Sequence, residues 1–156
     1  MNETNQKSSE VKIDELIEVV SLLRDPIDGC PWDLEQTHDS LIPYVLEESY
    51  EVADAIRQDN PNELKEELGD LLLQIILHAQ LAKEKKLFDM ADIIRAITNK
   101  LIRRHPHVFT NKKKLNIEEV KNKWEEIKKQ EQQIKPTDSP ISDELQLKIR
   151  PHPPST

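Results

Sequence analysis

The chain has 156 residues and a formal net charge of −8; a third of its residues are charged and 36% are apolar. That is one domain's length of sequence with apolar material enough for a core, and the sign of the charge argues against a nucleic-acid backbone as partner. No apolar run approaches the ~20 residues of a membrane span. The opening MNETNQKSSE lacks the basic and apolar regions of a signal peptide, so a cytoplasmic setting without membrane contact is expected. Cys30 is the single cysteine, which rules out an internal disulfide or a Cys-rich zinc site and suggests a small, buried or half-buried thiol. With only Gly29 and Gly69, neither a glycine-rich phosphate loop nor a dinucleotide fingerprint can be built.

Helical periodicity runs through residues 10 to 134, and nothing alternates with the period of a strand. The expected fold is all-α, a bundle of about five helices forming one domain over 10–134, between disordered tails at 1–9 and 135–156. The second tail holds five of the ten prolines. The first helix covers about Glu10 to Arg24, with Ile13, Leu16, Ile17, Val20 and Leu23 on one face. A loop from Asp25 to Ser40 follows, marked by Pro26, Gly29 and Pro31. A second helix starts near Ser40, carries Pro43 in its first turn and ends near Gln58. The third is the best signed: Asn60 as N-cap, Pro61 at the first helical position and Glu63 three residues after the cap. It runs to about Lys85, and its apolar face is broad. Leu73, Ile76 and Leu77 lie outside the main stripe, which predicts a second buried surface; a homodimer or a dimer of dimers is one way to supply it. Asp89 caps a fourth helix from Met90 to Arg104, ended by Pro106. Asn116 caps a fifth, with Glu119 closing the box and Leu115 and Val120 as a staple, ending near Gln133.

Two acidic pairs border the apolar stripes in the same way. At about 100° per residue, Val45, Ser49, Val52, Ala53 and Ile56 form the stripe of the second helix, with Glu48 and Glu51 on its shoulder. Leu64, Leu68, Leu71, Ile75 and Ala82 form that of the third, with Glu67 and Asp70 at matching offsets. Either pair alone reads as a solvated helix face. Packed antiparallel, the two helices would bring four carboxylates together, and such a cluster needs cations to balance it. Oxygen ligands favour hard divalent ions, Mg²⁺ first and Mn²⁺ as a substitute. Gly69, between acidic positions, marks either a close backbone approach or a tolerated cost of ~1 kcal/mol.

Cations appear on the later helices. Lys100 and Arg104 fall on the same side of the fourth as Ile93, Ile97 and Leu101; they either snorkel outward and complement the helix dipole or meet an anionic partner. On the fifth, Val120, Trp124 and Ile127 form the buried stripe and Lys128 stands one turn after Trp124. That tryptophan is either core or a face for a base, and the four residues together suit a metal-bound polyphosphate.

Four ordered blocks carry a resemblance: Cys30-Pro31-Trp32-Asp33, Glu47-Glu48-Ser49-Tyr50-Glu51, Glu66-Glu67-Leu68-Gly69-Asp70, and Arg103-Arg104-His105-Pro106-His107-Val108-Phe109. Over residues 10 to 133 the chain resembles MazG-type nucleoside triphosphate pyrophosphohydrolases, and its blocks are similar to those of the first domain of tandem members. The resemblance implies an all-α dimer that binds Mg²⁺ and hydrolyses nucleoside triphosphates to nucleoside monophosphate and pyrophosphate. By position it implies Glu48, Glu51, Glu67 and Asp70 as metal ligands and catalytic residues. It implies Lys100, Arg104, Trp124 and Lys128 as substrate-binding residues. Glu47 or Glu51 would take the proton of the attacking water, although Glu47 points away from the others on the helical wheel. Two rivals stand beside this reading. A di-iron carboxylate oxidase would need a Glu-x-x-His pattern, which neither acidic block has. A helical regulatory or interaction module would keep metal and nucleotide binding without turnover.

Overall fold

The structure, a computed structural model, describes residues 12–134, so the expected tails at 1–9 and 135–156 lie outside the described residues. Seven helices are present in them, and no strand. In chain order they are α1 (Ile13–Leu23), α2 (Pro31–Glu35), α3 (His38–Arg57), α4 (Pro61–Glu84), α5 (Met90–Arg104), α6 (Pro106–Phe109) and α7 (Ile117–Gln133). The two beyond the expected five are short, and both begin at a proline in the first helical turn. There its fixed φ suits the helix and its missing N–H costs nothing. The chain divides into two compact units after Met90. None of the described helices is long and apolar enough to cross a membrane.

In the first unit α3 and α4 form an antiparallel hairpin. His38 meets His78 near one end, and the Asn60 amide donates to the Ala55 carbonyl at the other (3.3 Å). Asp59 turns the chain there at φ 52°, a left-handed conformation that aspartate tolerates better than most side chains. Helix α3 starts two residues earlier than Ser40. Thr37 Oγ1 accepts from the Ser40 amide (3.1 Å) while Ser40 Oγ accepts from the Thr37 amide (2.9 Å), so Thr37 is the cap and Ser40 the third helical residue. Pro43 is consequently inside the helix rather than in its first turn.

The core of this unit is Val20, Leu41, Ile76, Leu77 and Leu81, with Leu16, Ile17, Leu72, Leu73 and Met90 packed against it. Ile76 and Leu77, expected on a second buried surface, are covered by α1. Leu68 and Ile75, expected in the stripe of α4, are instead exposed.

Arg24, just past α1, is 9% exposed. Its Nε and Nη2 donate to Glu84 Oε2 and Oε1 at the end of α4 (2.7 and 3.0 Å), and its Nη1 donates to the Asp33 carbonyl. One side chain therefore ties α1, α2 and α4, and the bidentate carboxylate makes its burial tolerable. The α1 exit is also held by Gly29, whose amide donates to Asp25 O (2.9 Å), and by Cys30, whose amide donates to Leu23 O (2.8 Å). The Cys30 thiol is half-buried.

In the second unit, α7 opens with the expected box: Asn116 Oδ1 accepts from the Glu119 amide (2.9 Å) and Glu119 Oε1 from the Asn116 amide (3.4 Å). Leu115 and Val120 are both half-buried, and Ile127 is buried. On α5, Ile97 and Leu101 stay about half exposed, so that face is less inward than its pattern predicts.

Candidate functional site

Burial rotates both acidic helices relative to the expected stripes. On α3 Leu41, Val45, Glu48, Val52 and Ala55 are inward, with Ala53 beside them; on α4 Leu64, Glu67, Leu71, Gln74, His78 and Leu81 form one inward row, and from Leu71 to Ala82 every residue but Ile75 is at least half-buried. Both series step by three and four, the spacing of an interhelical seam. Glu48 and Glu67 therefore lie in the seam itself, where leucines would pack, and not on its shoulder. Glu51 and Asp70, each three residues further on, fall to the same side of the hairpin.

One carboxylate oxygen each from Glu48, Glu67 and Asp70 lie within 4.8 Å of one another. That is the span of two oxygens on one hard cation, about 4–5 Å for metal–oxygen distances of about 2.1–2.5 Å. Glu48 Oε2 and Glu67 Oε2 are buried without a hydrogen-bond partner. Buried acceptors with nothing to accept are costly, and a divalent ion would satisfy both. Glu51 stands outside the triad but interacts with both glutamates, and Glu47 is exposed. Desolvation pushes the Glu67 carboxyl up to about 7, helped by the charge of Glu51 and a hydrogen bond to it, then by the charges of Asp70 and Glu48. Desolvation also raises Glu48, with Asp70 and Glu51 adding to it. Four acids thus crowd into a site that cannot comfortably ionise in full, and the donor set fits a hard cation. A Cβ on Gly69 would meet nothing within 4 Å, so no close approach of the described backbone explains that glycine.

Further along the same seam, His38 Nδ1 and His78 Nδ1 are 2.6 Å apart with the ring planes 10° from parallel. That distance is less than the thickness of an aromatic ring, so the rings meet edge to edge, one Nδ1 donating and the other accepting. No sequence pattern announced this pair.

The second unit holds the cationic residues. Arg104 Nη2 donates to Glu131 Oε2 (3.1 Å) and Arg103 Nε to Glu131 Oε1 (2.7 Å). These bonds hold the Glu131 carboxyl down at about 2. Arg104 Nε, Trp124 Nε1 and His107 Nδ1 are buried without a partner. His105 donates from Nδ1 to the Leu101 carbonyl (2.6 Å) and sets its ring edge-on to Trp124, centroids 5.4 Å apart. Trp124 is half-buried in the stripe expected for it. Lys100 is exposed, and Lys128 pairs along its helix with Glu125 at 3.5 Å. Sequence reasoning missed Glu131 and Arg103. No signal in the sequence singled out Glu131, because Lys128 stands three residues before it and offers a partner along the same helix.

Residues 36–109 match the family described as MazG nucleotide pyrophosphohydrolase domain. Over 132 residues the chain is 48% identical to the nucleoside triphosphate pyrophosphohydrolase of Escherichia coli (strain K12), an alignment covering 85% of this chain and 50% of that protein. It is 46% identical over 125 residues to the nucleoside triphosphate pyrophosphohydrolase/pyrophosphatase MazG of Thermotoga maritima, covering 80% and 47%. The chain thus spans about half the length of these curated relatives. The crystal structure of a mazG-related protein from Thermotoga maritima superposes with a TM-score of 0.63 at 30% identity, covering 74% of this chain and 98% of that one.

Proposed function

The chain belongs to the MazG nucleotide pyrophosphohydrolase family, and from that premise we propose that it hydrolyses nucleoside triphosphates to nucleoside monophosphate and pyrophosphate, with Mg²⁺ as cofactor and Mn²⁺ as a substitute. The observation that carries the reading is the triad of Glu48, Glu67 and Asp70 oxygens within 4.8 Å, two of these residues each burying an unpartnered oxygen. With Glu51 these residues would hold the ion. Bound there, it supplies Lewis acidity, lowering the pKa of water and offsetting phosphate charge.

The residues of the chain divide the remaining work. Glu67, crowded by three other acids, would be held as the carboxylate by a cation bound among them. Glu51, outside the triad, is the carboxylate we assign to the proton of the attacking water. Water oxygen bonds to the α-phosphorus, the bond from that phosphorus to the α–β bridging oxygen breaks, and pyrophosphate leaves. Lys100, Arg104 and Lys128 are assigned to the phosphate oxygens, where fixed cations stabilise developing charge, and Trp124 to the face of the base. The unfilled donors at Arg104 Nε and Trp124 Nε1 support a ligand rich in acceptors. The proposed setting is the cytoplasm and the proposed role housekeeping of the nucleotide pool, carried out by a homodimer or a dimer of dimers.

A panel of NTPs and dNTPs with Mg²⁺, assayed for pyrophosphate against orthophosphate, tests the reading. Pyrophosphate is the expected product, and Asp70→Asn or Glu51→Gln should lower kcat by at least about 10²-fold in proteins that still fold. Full turnover in both variants sinks the site. Mg²⁺-dependent NTP binding with no pyrophosphate released would favour a non-catalytic binding module instead.

A further inference from the structure

We propose that Glu131 is a displaceable counter-charge on Arg104, a positioning residue that sets how tightly the cationic cluster takes up a triphosphate by competing with phosphate oxygens for the same guanidinium. The inference rests on the reading above in one respect, that Arg104 is a polyphosphate ligand.

The geometry is that of a half-filled fork. A guanidinium presents parallel donors and is best satisfied by two oxygens of one anion. Glu131 takes Arg104 through Nη2 alone, at 3.1 Å, and leaves Nε of the same side chain buried and unpartnered. A phosphate group, with three oxygens, can take both. Release of Arg104 does not strand the carboxylate, because Arg103 Nε holds its other oxygen at 2.7 Å. The exchange therefore trades an incomplete ion pair for a complete one without leaving a charge unpaired. Trp124 Nε1, on the same helix as Glu131, is a second buried donor without a partner. The carboxyl, held at about 2, stays ionised throughout the working pH range, so a competing anion is what frees Arg104 and protonation is not. The side chains of Glu131 and Arg104 are 24% and 27% exposed, and an ion pair so placed is worth a factor of about two to five in affinity.

The test uses the full chain and inorganic tripolyphosphate without divalent cations, at low salt, by calorimetry. Glu131→Gln should bind tripolyphosphate about two- to five-fold more tightly than the wild-type protein. Its KM for NTP in the presence of Mg²⁺ should fall by a similar factor without a rise in kcat. Glu131→Asp, shortened by one methylene and still charged, should fall between the two, and it serves as the readout if Glu131→Gln does not fold. A merely structural role predicts weaker binding in both variants; unchanged or weaker affinity in folded protein, or no tripolyphosphate binding in any form, overturns the proposal. Because no turnover is needed, the two readings separate. Tighter binding in a chain that hydrolyses no NTP would refute the enzymatic reading and keep this one, whereas hydrolysis with no affinity shift would refute only this one.

Discussion

Glu67 occupies a seam position whose neighbours one turn away along α4 are Leu64 and Leu71. A leucine there would add burial and remove repulsion, so the acid is held at a cost in stability, as functional groups commonly are. The His38–His78 contact is a different use of the same seam: one proton between the two Nδ1 atoms makes the bond, and a proton on each would break it. Burial, and after it the charge on His38, hold the His78 imidazole below its ordinary value of 6.5. The unfolded chain therefore takes up that proton at a higher pH than the folded one. The contribution to stability is fully present above about pH 6.5 and is lost as pH falls through the lower folded value. Urea midpoints should drop between pH 7.5 and 5.5 in the wild-type protein and drop less in His78→Leu; equal slopes would show that this proton is not linked to folding.

At the scale of the element, local chemistry decided most boundaries. Asn60 and Asn116 cap where the pattern of amide acceptor and following glutamate places them, because a cap is settled within four residues. The start of α3 moved from near Ser40 to His38 by the same rule, since Thr37 and Ser40 form one reciprocal pair in which Thr37 is the cap. The two glycines separate a helix interior from a helix exit. Gly69 sits in α4 with open space where a Cβ would lie, so Gly69→Ala should raise stability by up to ~1 kcal/mol. A Cβ on Gly29 would come within 2.6 Å of Leu23 O and 2.8 Å of Asp25 N, backbone atoms that cannot swing aside. Gly29→Ala should cost about 1–3 kcal/mol. Thermal denaturation of the two variants gives shifts of opposite sign; a shared sign would contradict the backbone geometry at one of them.

At the scale of the whole molecule, the hairpin leaves an apolar face opposite Glu51 and Asp70. Leu46, Ile56, Leu68 and Ile75 are 54%, 59%, 47% and 41% exposed, and by helical phase all four lie on that side. Exposed apolar groups gathered on one face are typical of a surface that meets another chain, which supports the proposed homo-oligomer. Sedimentation should return the mass of two or more protomers. Leu68→Glu, placed on the exposed face where folding tolerates it, should shift the chain toward monomer; an unchanged mass would put the interface elsewhere.

The sequence by itself determined that the described chain is helical, where its long helices begin and end to within three residues, and that two acidic pairs with equal spacing stand on consecutive helices. Those properties are set by contacts between residues at most four apart. Only the tertiary structure decided which side of each helix faces inward. A rotation of about 60° is less than the ~100° step from one residue to the next, and composition leaves it open when apolar residues surround a helix as they do α4. That rotation moved Glu48 and Glu67 into the seam, put α1 over Ile76 and Leu77, and left Leu68 and Ile75 outside. Long-range partners such as Glu84 for Arg24 and Glu131 for Arg104 were hidden for the same reason: helical spacing encodes neighbours along a helix and carries no information about those across it.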